Sequence, residues 1–408
     1  MKKVNKSNIK TTQRWLYVVL GIVIMMCLGT VYSWSVFRLP IEKAFNIGTT
    51  KSGLPYMVSL AFYAIFMLVT GKYLDKYSPR LIISLGAILV SVGWILSAYA
   101  SNIYFLTISY GVIMGAGVGI AYGVPMTVVA KWFPEKKGLV VGFVLIGFGL
   151  SPLVTAPLAR NLIEIYGIMK VFLILGISFG VIIPLLSFPL RYPYDSENRN
   201  IGTTSKIINY TRDINTIKMI KSKNFKVLYF NFIIGTVIGL MLIGMTSNIG
   251  IELIKLPPKT IALLMSIFAV FNGIGRPAFG WITDKLSSKK AMLISYVLIS
   301  IAAVLMLVAK EGSVVLFAIA FSIFWFNLGG WLAIAPTSTL AMYGTKYYSQ
   351  NYGVVFTAYG IGAIIGVLAS GLMMDVIGNY NSIFYFVLGL CTIGILFSQR
   401  MIKHNGIK

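Results

Sequence analysis

Arg276 stands inside an apolar run, FAVFNGIGRPAFG, about a turn and a half before Trp281. No other charge falls in the middle of any helix that hydropathy predicts. An arginine at membrane depth costs at least about 2.5–3.5 kcal/mol. It cannot escape by losing its proton, so it needs a function or a hidden partner. The simplest function is to hold an anion, the guanidinium fork being matched to a carboxylate. The competing reading is snorkelling toward the membrane surface, Asp284 being eight residues on. Aromatic side chains at a similar level could complete a pocket: Tyr32 and Trp34 in the first apolar run, Tyr122 in the fourth, Phe148 in the fifth, Trp325 and Trp331 in the tenth. Each could equally pack or face lipid. Paired carboxylates, a metal-ligand cluster and a nucleophile–base set are not found, so neither an enzyme nor a cofactor is expected. His404, the sole histidine, belongs to the polar tail.

The chain around these residues is 57% apolar and 11% charged, against about 25% charged in ordinary soluble domains. Twelve apolar runs are long enough to cross a bilayer as helices. They are expected near 15–37, 53–74, 79–100, 103–130, 138–160 and 169–190, then 226–250, 259–281, 289–309, 313–341, 351–374 and 380–401. The fold class is therefore all-α integral membrane. The net charge is +24, but of 35 Lys and Arg, 26 fall on the side holding both termini and 8 on the opposite side, while acids split 6 and 5. That cation bias places both termini in the cytoplasm of a multi-pass cell-membrane protein. Anionic lipid is a sufficient partner for the charge; nucleic acid is not expected. The basic N-terminus reads as the flank of an uncleaved first helix. Cys27 and Cys391 give no disulfide framework.

Residues 71–80 read GKYLDKYSPR and residues 280–290 read GWITDKLSSKK, so Gly71, Asp75 and Lys76 recur 209 positions on as Gly280, Asp284 and Lys285. Pro125 and Pro336 repeat at 211, and Gly147 and Gly360 at 213. A near-constant offset means two similar six-helix halves, with domains at 1–190 and 226–408 joined by a polar linker at 191–225. Secondary transporters place their site between such halves. In each Gly-x-x-x-Asp-Lys motif the glycine permits a tight crossing. The aspartate can accept from the next helix's free amides or pair with a cation such as Arg80. The motif can thus latch one half to the other, or simply make a turn. In the linker, Ile207, Ile208, Ile214, Ile217, Met219 and Ile220 have helical spacing, fitting a surface helix or a flexible basic segment. The runs GVIMGAGVG (111–119) and GIGAIIG (360–366) look like packing seams. No predicted strand precedes either one, which argues against nucleotide binding.

GKYLDKYSPR closely resembles the helix 2–3 loop signature of the major facilitator superfamily, and GWITDKLSSKK its weaker second copy. YSWSVFRLPIEKAF (32–45) and KWFPEKKGL (131–139) resemble the oxalate/formate antiporter family. The resemblance covers the whole chain. It implies two six-helix pseudo-symmetric halves, alternating access, and a helix-eight arginine, here Arg276, that binds the substrate carboxylate. It also puts Tyr122 and Phe148 at aromatic-cage positions. Oxalate carriers add a lysine in helix eleven, where this sequence has Tyr359. One cation fits a monocarboxylate better than a dianion, and Tyr359 could donate to the free end of a 2-hydroxy or 2-keto acid. Related proton-linked monocarboxylate transporters carry an aspartate one turn before the arginine; here Asn272 stands there, so no protein-borne proton relay is visible. The expectation is a monomeric transporter of small organic anions such as lactate, pyruvate or formate. The alternatives are a dicarboxylate exchanger, a polyspecific efflux pump and a transporter-like sensor.

Overall fold

The computed structural model describes residues 11–74, 76–133, 137–193, 213–344 and 347–401. Among the described residues, twelve helices are long and apolar enough to cross a membrane. They are α1 (Arg14–Phe45), α2 (Thr49–Thr70), α3 (Pro79–Ser97), α4 (Ile103–Trp132), α5 (Leu139–Tyr166), α6 (Ile168–Ser187), α7 (Lys223–Leu253), α8 (Pro258–Leu286), α9 (Ser288–Val308), α10 (Val314–Tyr343), α11 (Gln350–Ile377) and α12 (Asn381–Gln399). With no water in hydrocarbon to satisfy the backbone, a spanning segment must be a helix or a strand of a closed barrel, and apolar runs of about 20 residues have the length of helices. The first six and last six helices make two halves. They meet chiefly where α2 packs on α11 and α5 on α8.

Those seams depend on missing side chains. A Cβ on Gly371 of α11 would fall 2.6 Å from Thr50 Cα of α2, so the backbones themselves touch there. Without a hydrophobic drive between helices in lipid, close backbone approach is a main source of helix association.

The first helix corrects the expected boundaries. It continues eight residues beyond 37 and carries Arg38 and Glu42 within it. Arg38 is 1% exposed, so Arg276 is not the only buried cation in a span. Arg38 finds acceptors on α2 and α7. The helix continues through Pro40, which lies inside the segment Trp34–Phe45 and there removes one helix hydrogen bond. Just before it, Gly29–Ser33 tightens into a 3-10 turn that carries Tyr32.

Of the polar linker, Ile207 and Ile208 lie outside the described residues. So do the other residues of 194–212; after them the described chain forms a short helix, Thr216–Lys221, with Met219 buried and Ile217 exposed. It is stitched to the ends of α10 and α11: Ile214 N–H donates to Tyr343 O at 3.0 Å. The Asn351 side-chain amide donates to Ile214 O and accepts from Thr216 Oγ1, both at 2.9 Å.

Candidate functional site

Asn272 and Arg276 are four residues apart, which puts both on one face of α8. That face meets α5. Arg276 is 5% exposed, and its Nη1 donates to Leu145 O at 2.6 Å. Its Nε and Nη2, both buried, have no partner among the described residues. Those two nitrogens form one edge of the guanidinium, the geometry that accepts a carboxylate through two parallel bonds. Asn272 donates from Nδ2 to Trp325 O at 3.0 Å, while its Oδ1 is buried and unpartnered among the described residues. Both side chains look onto Gly149. A Cβ at that glycine would lie 2.5 Å from Asn272 Oδ1 and 3.5 Å from Arg276 Nε.

Leu145, Phe148 and Gly149 share a face of α5 through i,i+3 and i,i+4 spacing. Phe148 therefore carries the site from the arginine to a group of aromatic rings. Its ring stands edge-on to Tyr32 at 5.1 Å and to Tyr122 at 5.3 Å, and stacks on Tyr63 at 5.8 Å. From the other half, Tyr359 reaches Tyr63 at 5.6 Å, and Phe356 reaches Tyr63 at 5.5 Å and Tyr122 at 6.4 Å. Tyr32 and Tyr359 hydrogen-bond through their hydroxyls at 2.9 Å. The structure thus brings Arg276, Asn272, Phe148, Tyr32, Tyr122 and Tyr359 to the boundary between the halves, all of them buried.

The other aromatic candidates go elsewhere. Trp331 packs inside the second half, its ring 5.4 Å from Tyr296 and 6.5 Å from Phe232. Trp325 supports the site from behind: its carbonyl orients Asn272, and its Nε1 donates to Thr246 Oγ1 at 3.3 Å. Trp34 turns into the first half, against Tyr110 at 4.5 Å. Tyr63 and Phe356 belong to the cluster but were missed in the sequence. Phe356 stands three residues before Tyr359, which places it on the same face.

The loop motifs have a different geometry. Asp75 lies outside the described residues. Arg80, in the first turn of α3, donates from Nε to Leu190 O at 3.1 Å and lies over the Phe188 ring at 5.0 Å, both in its own half. Gly71 follows α2 directly and touches its own helix; Gly280 has open space where a Cβ would be, and Asp284 is exposed. Several side-chain contacts between the halves lie at the opposite end. Arg38 donates from Nη1 to Gly244 O at 3.0 Å and approaches Met245 Sδ at 2.7 Å, both on α7. It also holds Ser52 Oγ at 3.0 Å and Thr49 O at 2.7 Å on α2. Asp375 of α11 accepts from the amides of Thr49 at 2.9 Å and Thr50 at 3.0 Å, capping α2 from across the boundary. Lys259 and Glu164 pair across the boundary at 3.0 Å.

Two matched six-helix halves around a buried polar centre define a secondary-transporter architecture. The chain belongs to the Major Facilitator Superfamily, whose family model matches residues 19–251 and again 228–404. Members of that family are transporters, not enzymes. The chain is 29% identical to the oxalate:formate antiporter of Oxalobacter formigenes, over 94% of this chain and 90% of the relative. It is 26% identical to monocarboxylate transporter 12-B of Danio rerio, over 81% and 75%. Among solved structures, a bacterial homolog of the human lysosomal transporter Spinster, inward-facing and unoccupied, superposes with a TM-score of 0.71 at 14% identity, covering 96% of this chain and 94% of that one. At that identity the likeness concerns the fold alone.

Proposed function

We propose that this protein carries small organic monoanions across the cell membrane by alternating access, with Arg276 binding the carboxylate. The observation that carries the reading is the unspent Nε–Nη2 edge of a buried arginine at the boundary of the halves. A lone cation there is costly without an anion, and one free edge matches one carboxylate. The aromatic rings from both halves would enclose the rest of a small substrate. The relatives' names, oxalate:formate antiporter and monocarboxylate transporter, support this substrate class. The cation bias supports an orientation with both termini in the cytoplasm. The runner-up is exchange of a dicarboxylate, favoured by the name of the Oxalobacter relative. Against it stands Tyr359, which offers a hydroxyl rather than a second positive charge.

The test is ligand-induced thermal stabilisation of the purified protein by formate, acetate, lactate and oxalate. Arg276→Gln should abolish it while the variant still folds. Arg276→Lys should keep a weak remnant, because the charge stays and the fork is lost. Wild-type affinity in Arg276→Gln would sink the assignment.

A further inference from the structure

We propose that this site selects 2-hydroxy monocarboxylates over the corresponding 2-oxo acids, and that Asn272 makes the selection. The proposal rests on the reading of Arg276 as the carboxylate site. It starts from the second unsatisfied group, Asn272 Oδ1.

The orientation of that amide is fixed. Trp325 O is an acceptor, so the group facing it at 3.0 Å must be the Nδ2 donor. The oxygen therefore faces the other way, toward α5. It is fully buried and has no donor among the described residues. Around it, Arg276 Nε is a donor but is itself unpartnered, so the two do not satisfy each other. Both lie within 3.5 Å of the point that a Gly149 Cβ would occupy, Oδ1 at 2.5 Å, so Gly149 packs directly against them and a side chain there would clash. Arg276 Nη2 is unpartnered as well. The guanidinium edge and the amide oxygen, one turn apart on one face of α8, thus offer two N–H donors with one acceptor beside them once α5 of the other half moves off that face.

A ligand that satisfies all three needs two anionic oxygens and, next to them, one hydrogen-bond donor. A 2-hydroxy acid has that arrangement: the carboxylate takes the arginine edge and the adjacent hydroxyl donates to Asn272 Oδ1. A 2-oxo acid has an acceptor where the donor is wanted, so two oxygens face each other and the amide oxygen stays unpaired. An unbranched fatty acid also lacks the donor but brings no opposing lone pair. An amino acid brings a donor, yet its ammonium places a second positive charge beside Arg276. Leaving a buried acceptor unpaired is what costs affinity, because the bound state must forgo the bond that water supplies in solution.

Competition binding of lactate (both enantiomers), propionate and pyruvate to the purified protein at neutral pH tests this. The better lactate enantiomer should bind roughly 10- to 100-fold more tightly than pyruvate, with propionate between them. In Asn272→Leu, which keeps the bulk and removes the amide, lactate and pyruvate should converge to within about twofold, lactate weakening and pyruvate gaining. If that variant does not fold, Asn272→Ala makes the same comparison. Equal lactate and pyruvate affinities in the wild type, both abolished by Arg276→Gln, would overturn the selection while leaving the carboxylate site standing; a water that stays on Oδ1 would give that result. A lactate preference that survives both Asn272 substitutions would also overturn it. Binding of neither lactate nor pyruvate to a wild type that still binds formate would overturn the selection alone; binding of none of these anions, or binding unchanged by Arg276→Gln, would overturn the selection and the underlying reading together.

Discussion

The hydroxyls of Tyr32 and Tyr359 meet at 2.9 Å, one from each half, 327 positions apart in the chain. Each phenol can donate one hydrogen bond, and the pair uses one of the two. The other proton remains available to a ligand. Replacing either residue by Phe leaves its partner buried and unpaired, at a cost of about 1–3 kcal/mol. Replacing both removes the problem together with the bond. The double variant should therefore be less destabilised than the sum of the singles. Thermal unfolding of all three in detergent checks this, and strict additivity would mean that the two hydroxyls are not coupled.

Tyr359→Lys should shift preference from monocarboxylates toward oxalate. Tyr359 is fully buried between Phe356 and Tyr63, so a lysine there adds a cation among aromatic rings, with no carboxylate in contact among the described residues. The substitution should lower the unliganded melting temperature, and oxalate should restore more of it than lactate does. An unchanged oxalate-to-lactate ratio in a folded variant would remove Tyr359 from the site.

Exchange should be faster than one-way flux. An empty site holds Arg276 with one bond to Leu145 O and two free donors. Closing the halves around that charge is unfavourable, whereas one carboxylate neutralises it. Unlabelled substrate inside liposomes should speed labelled uptake several-fold, as a barrier lowered by about 1 kcal/mol would. Equal rates into empty and preloaded liposomes, without chloride or a pH gradient, would contradict this.

Arg276 was legible because a charge in an apolar run is conspicuous whatever the helix around it does. Arg38 was not, because hydropathy ends the first helix at the first polar cluster. The sequence cannot show that Arg38 finds acceptors at Gly244 and Thr49. The aromatic residues suffered from a different blindness. An aromatic residue in a fully apolar helix carries no sign of the direction it faces, so Trp331 and Tyr32 looked alike until packing separated them. The twelve spans and the two-half plan were readable because length, hydropathy and the repeat offset are properties of the chain alone.

Asp375→Ala should loosen the end of the carrier opposite the termini. The aspartate satisfies two free amides of α2, a cap whose loss costs about 0.5–2 kcal/mol. A cysteine at Ser247, which lies beside Ser35 across the boundary, should then react with a maleimide several-fold faster. The comparison needs Cys27→Ser and Cys391→Ser as background. An unchanged labelling rate would show that this contact does not hold the halves together.

Asp375 and Arg38 share a further property. Their partners across the boundary include the amides of Thr49 and Thr50 and the carbonyl of Gly244, groups that every residue type except proline supplies. No codon on α2 or α7 specifies those hydrogen bonds. Substituting Thr49 or Thr50 therefore leaves the main-chain half of each contact in place, and drift at those two positions carries little penalty from this source; Gly244 is different, because a Cβ there would lie 2.9 Å from the Tyr56 ring. For these main-chain contacts the vulnerability lies at 375 and 38, whereas the approach of Arg38 to Met245 Sδ also depends on the side chain at 245. A second-site revertant of Asp375→Ala cannot arise by adjusting its partner's side chain, so compensation must come from an unrelated contact elsewhere along the boundary.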